Sequence, residues 1–556
     1  MDDRFDRYLR HDDLTAWLHD LSVQYPGLVE VESYGRSHEG RDLWLVTVTD
    51  QSTGPHHTKP AHWVDASIHA VELTATVAAC SLLRRLVTGF ASDEVVTRAL
   101  RTRTFYVVPR VNPDGAEWVL ADQPRFRRSS VRAWPWRDGH RWPGLQSEDI
   151  DGDGRILQMR VADPAGGWTS HPEDVRLMVP VPPEGPSEGS STYRLLQEGS
   201  VSDHDGFTIG TPRPVEGLDL NRNFPAGWGT NIPGSGDHPL SEPEIDALVR
   251  AIVARPNICG FNAYHTSGGV LLRPSSTRPD AKLAPADVWV WKQLAEQGTA
   301  LTGYPSHSVF EDFTWDQSET MSGASDDWAY EHLGIFGWTT EFWDVVHAAT
   351  GVKQSTHSWY TGPTDTEALA VLRWCDEHHP AGHVDWYPFD HPQLGAIELG
   401  GWDDLSTWTN PPLHLLHDEV APHADFAIHQ ALCSPVLAIP HVVATPLGEH
   451  LWQLDIGVAN VGWLPTDVTA LARAGHLVKP LTVSVAGDGV EVVDGPTRRQ
   501  CGQLEGRAAL RFLGGNDGTA DRVLTRWVIR APGGVTVTIE AIHDRCGRSC
   551  VEYRLP

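Results

Sequence analysis

The stretch ASIHAVELTAT, residues 66–76, sets His69 and Glu72 three residues apart where an apolar run gives way to a helical pattern. An imidazole and a carboxylate aimed at one point suit a zinc ion, which accepts both ligand types. The pair alone also fits a junction histidine followed by a glutamate at a helix start, where the dipole favours negative charge. A third ligand decides between the readings, because catalytic zinc commonly takes three protein ligands and leaves one position for water. His265, at the end of the apolar run NICGFNAYHT, supplies it if its strand lies beside that of AHWVDASI. Asn221 and Arg222, in GLDLNRNFPAGWG, offer a directed donor and a planar fork suited to a carboxylate. Glu341 sits within the aromatic run FGWTTEFWD, where a carboxylate must be paired or carry a shifted pKa. Near a zinc-bound water, a lone glutamate is the usual general base of metal-assisted hydrolysis.

These side chains need strands and helices to present them. AHWVDASI reads as a buried strand, and Leu73, Val77, Cys80, Leu83, Leu86 and Val87 recur at helical spacing. Further strands are expected at 43–49, 104–112, 257–266 and 336–343, and a helix at 241–254 that opens with a capping box of Ser241 and Glu244. The alternation of strand and helix over residues 1–380 is the α/β signature. Residues 113–220, rich in Gly, Pro, Arg and Asp, read as long ordered loops decorating that core. Residues 381–432 read as a connector and one helix. Residues 433–556, with short β-rich runs between Gly and Pro turns, read as a small antiparallel β-sandwich-like accessory domain.

At 556 residues the chain suggests roughly two to four domains. Its net charge of −29 argues against a nucleic-acid or anionic-membrane partner. No apolar run approaches a membrane span, and the charged start MDDRFDRYLRHDDL lacks the apolar core of a signal peptide, so a cytoplasmic location is expected. Seven cysteines, mostly in apolar surroundings, fit buried thiols in a reducing compartment. CGRSC (546–550) has no second pair to build a structural zinc site. Arg125, Arg127, Arg128, Arg132, Arg137 and Arg141 form a cationic island that fits either a small anion such as a carboxylate or a loop paired with nearby acids.

Taken in order, H-x-x-E (His69, Glu72), NPDG (112–115), DLNRNF (219–224), the strand-end His265 and DDWAYEHLGIFGWTTEF ending at Glu341 resemble the M14 zinc carboxypeptidases over residues 5–350. The resemblance implies a mixed central sheet with helices on both faces. It implies one zinc per chain, held by His69, Glu72 and His265, with Glu341 activating the water. Asn221 and Arg222 would clamp the terminal carboxylate of a peptide, and Asp219 would orient His69 from behind. An arginine after NPDG, Arg128 or its neighbour Arg127, would polarise the scissile carbonyl. Asp326 falls near the position that sets side-chain preference and hints at a basic terminal residue, though it also fits a cap for a helix starting at Asp327.

Three positions depart from the family pattern: Val71 precedes the glutamate ligand in place of arginine, Ser267 stands where a tyrosine follows the third ligand, and no tyrosine occurs near Glu319–Met321. EDIDGDGRIL carries Asp149, Asp151 and Asp153 at calcium-loop spacing, but Arg160 stands where the bidentate glutamate belongs, so either a partial calcium site or a plain turn is expected. The leading function is a zinc metallocarboxypeptidase acting on peptides. The alternatives are a related amidase or deacylase acting on N-acyl amino acids or cell-wall peptides, and a non-catalytic binding protein on this fold.

Overall fold

The computed structural model describes residues 6–135, 142–316, 320–511 and 517–556. Arg137, Arg141 and Glu319, which enter the expectations above, lie outside the described residues.

An eight-stranded mixed sheet forms the centre. Its strands are β1 (Val29–Arg36), β2 (Asp42–Val48), β3 (Ala61–Ala66), β4 (Thr104–Val108), β5 (Ile258–Thr266), β6 (Val270–Arg273), β7 (Ser306–Ser308) and β8 (Phe336–Phe342). Their spatial order is β1-β2-β4-β3-β5-β8-β6-β7. The middle strands β4, β3, β5 and β8 run parallel, while β1/β2, β2/β4 and β6/β8 pair antiparallel. Every residue of β3 and β4 is buried, so both faces of the middle strands are covered, as parallel strands between helices require. Trp63, Phe105, Tyr106 and Phe261 fill that core. Helices α1 (Leu73–Gly89) and α2 (Leu413–Leu432) pack on each other across β3 and β5. The expected strands thus form, although that at 104–112 stops at Val108, where Pro109 has no N–H to continue a ladder.

Three expectations need correction. The helix near 241 runs Pro243–Val253 with Glu242 at its N-cap and no capping box. Ser241 Oγ bonds Glu242 instead, and Glu244 accepts from His38 N at 2.7 Å. Residues 113–220 are more than loops. They hold a helix, Pro113–Val119, and the strands Gln158–Ala162, Trp168–Ser170, Met178–Pro180 and Thr192–Gln197. The expected connector is a hairpin, His383–His391 and Gly395–Trp402, that joins those strands in a six-stranded antiparallel sheet. Met159 and Leu399 close its small core. Strands this short, paired across more than two hundred residues, leave little periodicity to read.

Two four-stranded antiparallel sheets form the C-terminal region, one from Leu437–Gly448, Leu451–Asn460, Arg522–Arg530 and Glu491–Asp494, the other from Arg498–Gln500, Thr482–Ala486, Thr536–His543 and Gly547–Arg554. Alternate residues of the facing strands, among them Leu454, Ile456, Trp527, Val483 and Ile539, make their shared core. This sandwich is fastened to the α/β core by buried polar bonds. Arg545 Nη1 donates to Gly334 O at 2.9 Å, and Asp287 accepts from Ala470 N and Leu471 N at 2.7 and 3.1 Å. No single helix among the described residues is long and apolar enough to cross a membrane.

Candidate metal centre

Register brings the expected ligands together. In the parallel pair β5/β8, His265 lies directly opposite Glu341. In the parallel pair β5/β3, Tyr264 lies opposite Ala66, which places His265 beside the turn that carries His69 and Glu72. The site therefore sits just beyond the carboxyl ends of the middle strands, where open α/β sheets hold their ligands.

His69 Nδ1 lies 2.7 Å from Glu72 Oε1, His265 Nδ1 lies 2.9 Å from Glu72 Oε2, and the two Nδ1 atoms are 3.1 Å apart. All three residues are at most 2% exposed. His69 Nε2 meets Asp219 Oδ1 at 3.1 Å. With its proton committed there, the neutral ring turns a lone pair at Nδ1 toward the Glu72 carboxylate, a repulsive contact unless a cation or proton lies between. Glu72 Oε2, despite its nearness to His265, has no hydrogen bond. A donor set of His, Glu and His converging on one buried point, with lone pairs facing each other, fits zinc.

Asp219 is the hub of the surrounding polar network. It caps the short turn Leu220–Arg222 by accepting from Asn221 N at 2.9 Å, and its other oxygen takes Arg128 Nε at 3.2 Å. Against the cost of burial, Arg128, His69 and Arg222 hold its carboxyl well below the usual range. Burial lowers the His69 pKa and Arg128 adds to this, but Glu72 and Asp219 more than offset both, so it ends raised. Burial, with Glu72 and Asp326 nearby, pushes the Glu341 carboxyl up to about 8, despite His265 and Arg128. A bound cation would draw it back down.

The NPDG motif acts on this network from a distance. Asn112 caps the helix Pro113–Val119 through Gly115 N and donates from Nδ2 to Ser129 O at 2.7 Å, while Arg128 O accepts from Ala70 N at 3.1 Å. Those bonds set Arg128 beside the ligands, its Nη1 3.6 Å from Glu72 Oε1. Arg127 pairs instead with Glu216 at 2.6 Å, so of the two arginines it is Arg128, the first choice from the sequence, that lies beside the ligands. Arg132 pairs with Glu242 and Arg125 lies over Trp118, so the described part of the cationic island is largely spent on the protein itself.

Asn221 Oδ1 accepts from Ser325 N at 2.9 Å, which leaves its NH2 for a ligand, and Arg222 Nη1 donates to Asn221 O at 2.7 Å. Asp326 is 3% exposed and accepts from Asp327 N and Thr339 Oγ1. The helix there begins at Ser325, so Asp326 lies inside its first turn rather than at its cap. Asp149, Asp151 and Asp153 do cluster. Their oxygens, however, are taken by the N–H groups of Gly152, Gly154, Asp153 and Arg155, by the Arg155 guanidinium and by Tyr387, so the loop is a set of Asx turns and nothing in it calls for calcium. Asn410, fully buried against the Glu72 turn, escaped sequence reading because no local signal links it to a residue so far up the chain.

A family model described as zinc carboxypeptidase matches residues 14–151 and 185–356. A second, described as a domain of unknown function (DUF8731), matches residues 436–554. Carboxypeptidase B of Astacus astacus is 29% identical over 169 residues, 30% of this chain and 46% of its own. An inactive metallocarboxypeptidase of Saccharomyces cerevisiae is 29% identical over 128 residues, 23% of this chain and 30% of its own. The chain spans less than half the length of these two relatives. The crystal structure of thrombin-activatable fibrinolysis inhibitor aligns with a TM-score of 0.38 at 18% identity, covering 66% of this chain and 73% of that one.

Proposed function

We propose, on the premise that the chain belongs to the zinc carboxypeptidase family, that it is a zinc metallocarboxypeptidase removing the last residue of a peptide. The observation that carries the reading is the pairing of Glu341 with His265 beside the His69–Glu72 contact. It sets a half-buried carboxylate next to three residues able to hold zinc. Zinc held there would supply Lewis acidity, polarising a carbonyl and making water acidic enough to ionise near neutral pH.

Glu341 is the proton carrier. It takes a proton from the attacking water and returns it to the leaving amine, the two halves of general acid–base catalysis. Arg128, held at Nε by Asp219, keeps its Nη groups for the carbonyl oxygen as negative charge grows on it. The NH2 of Asn221 and the guanidinium of Arg222 grip the terminal carboxylate, and this fixes which peptide bond reaches Glu341. Asp219 ties the two halves together by fixing the His69 tautomer with one oxygen and Arg128 with the other. The buried carboxylate of Asp326 favours a basic terminal side chain. One relative is described as inactive, but in this chain the three donors and Glu341 occur together, which supports catalysis.

A panel of peptides differing in their last residue tests the reading. Release of the free C-terminal residue, fastest for Lys and Arg and abolished by C-terminal amidation, is expected. Hydrolysis of N-acyl amino acids or cell-wall peptides without release from peptides would overturn it in favour of an amidase.

A further inference from the structure

Helix α1 begins directly after Glu72 yet lacks a cap of its own. Its N-cap residue is Glu72, whose side chain makes no capping bond because the carboxylate faces the two histidines. The first N–H groups of a helix have no partner within it, and the N-cap side chain ordinarily supplies one. Here the acceptor comes from 336 residues away: Asn410 Oδ1 accepts from Thr74 N at 3.0 Å and from Thr74 Oγ1 at 2.8 Å. The NH2 of the same side chain donates to Val71 O at 2.9 Å and to Leu405 O at 3.0 Å. All the hydrogen-bonding positions of this fully buried carboxamide are thus filled. Its bonds straddle Glu72, reaching the carbonyl before it and the N–H two residues after it.

The same stretch of chain holds the other side of the site. Trp343, two residues past Glu341, has a left-handed φ of 67°, a conformation that a bulky residue keeps only where its surroundings enforce it. Its N–H donates to Glu419 and to Tyr304 Oη, both at 3.0 Å, and its indole donates to Thr407 O at 2.7 Å. Residues 405–419, beyond the segments that the family model matches, therefore brace both Glu72 and the strand end that carries Glu341.

We propose that Asn410 is a positioning residue of the metal centre, capping the helix that Glu72 opens and so holding the Glu72 carboxylate between His69 and His265. It touches no reacting atom, and the inference rests on the zinc reading above. Loss of its side chain leaves Thr74 N without its acceptor and Val71 O with Leu73 N as its remaining donor, and frees the Glu72 turn to shift.

The test uses the full chain, with zinc affinity measured by competition against a chromophoric chelator, the absorption spectrum of the Co(II)-substituted protein, and the Tm of the metal-free protein. Asn410→Ala is expected to weaken zinc binding by about 10–100-fold and to alter the Co(II) spectrum. Asn410→Asp keeps the acceptor for Thr74 but loses the donor, so its affinity should fall between the two. Phe426→Leu, in α2 but packed on Trp338, should lower the Tm and leave zinc affinity within about twofold. Both Asn410 variants binding zinc within about twofold of wild type would overturn the positioning role. So would a Phe426→Leu loss equal to that of Asn410→Ala, since general stability would then explain both. Wild type that binds no zinc, or zinc that survives His265→Ala, would overturn the metal reading itself, a failure distinct from the first two.

Discussion

Replacing Arg128 by alanine should separate the chemical step from substrate binding. The guanidinium is hydrogen-bonded through Nε alone, to Asp219 at 3.2 Å, while Nη1 stays 3.6 Å from Glu72 and the side chain is 54% exposed. A donor aimed at a developing oxyanion is worth about 100–1000-fold in kcat. Its half-exposure places Arg128 at the low end of that range, because water screens part of its charge. Arg128→Ala should therefore lower kcat about 100-fold, or about 2.7 kcal/mol, with KM changed by no more than about threefold. Arg128→Lys keeps the charge but cannot hold Asp219 and substrate with one planar group, so a loss of about 10-fold is expected. Arg127→Ala, which frees Glu216 rather than the site, should leave kcat within about threefold. Steady-state release of a C-terminal residue, with zinc content measured on each variant, makes the comparison. Equal losses for Arg127→Ala and Arg128→Ala, or an Arg128→Ala loss confined to KM, would refute the assignment.

Two further outcomes concern the fold. Asp287 accepts from Ala470 N, Leu471 N and Tyr330 Oη inside the junction with the β-sandwich, so Asp287→Ala should cost about 3 kcal/mol by leaving buried donors unpaired. Chemical denaturation reads that loss, and a change under about 0.5 kcal/mol would mean the junction contributes little. Glu244 is 2% exposed, and burial raises its pKa to about 7, with Asp114 and Glu242 adding to the shift. A carboxyl raised in this way takes up a proton on folding, so its contribution to stability is greatest below about pH 4.5 and falls as pH rises through about 7. Wild type should lose about 2–3 kcal/mol more than Glu244→Gln between pH 5 and 8, and parallel pH profiles for the two would contradict this.

Much of the candidate site was legible because the chemistry it could carry rests on short local signals. His69 and Glu72 share one junction, and His265 and Glu341 each end or interrupt an apolar strand. Their adjacency was legible only through the order of several motifs, since nothing in the run around Glu341 says which strand lies beside it. The choice between Arg127 and Arg128 needed the backbone bond from Ala70 and the competing carboxylate of Glu216. The six-stranded sheet stayed hidden because its strands are short and pair across long separations, as Glu398 does with Arg160. Asn410 was invisible for a similar reason: its side chain acts on a helix end 336 residues earlier.

Zinc stoichiometry, measured on wild type, His265→Ala and Glu341→Gln alongside peptide hydrolysis, shows whether His69, Glu72 and His265 hold a catalytic zinc served by Glu341. About one zinc per chain is expected in wild type and in Glu341→Gln, none in His265→Ala, and hydrolysis in wild type alone. Zinc retained by His265→Ala would rule out His265 as a ligand, and full activity in Glu341→Gln would rule out Glu341 as the proton carrier.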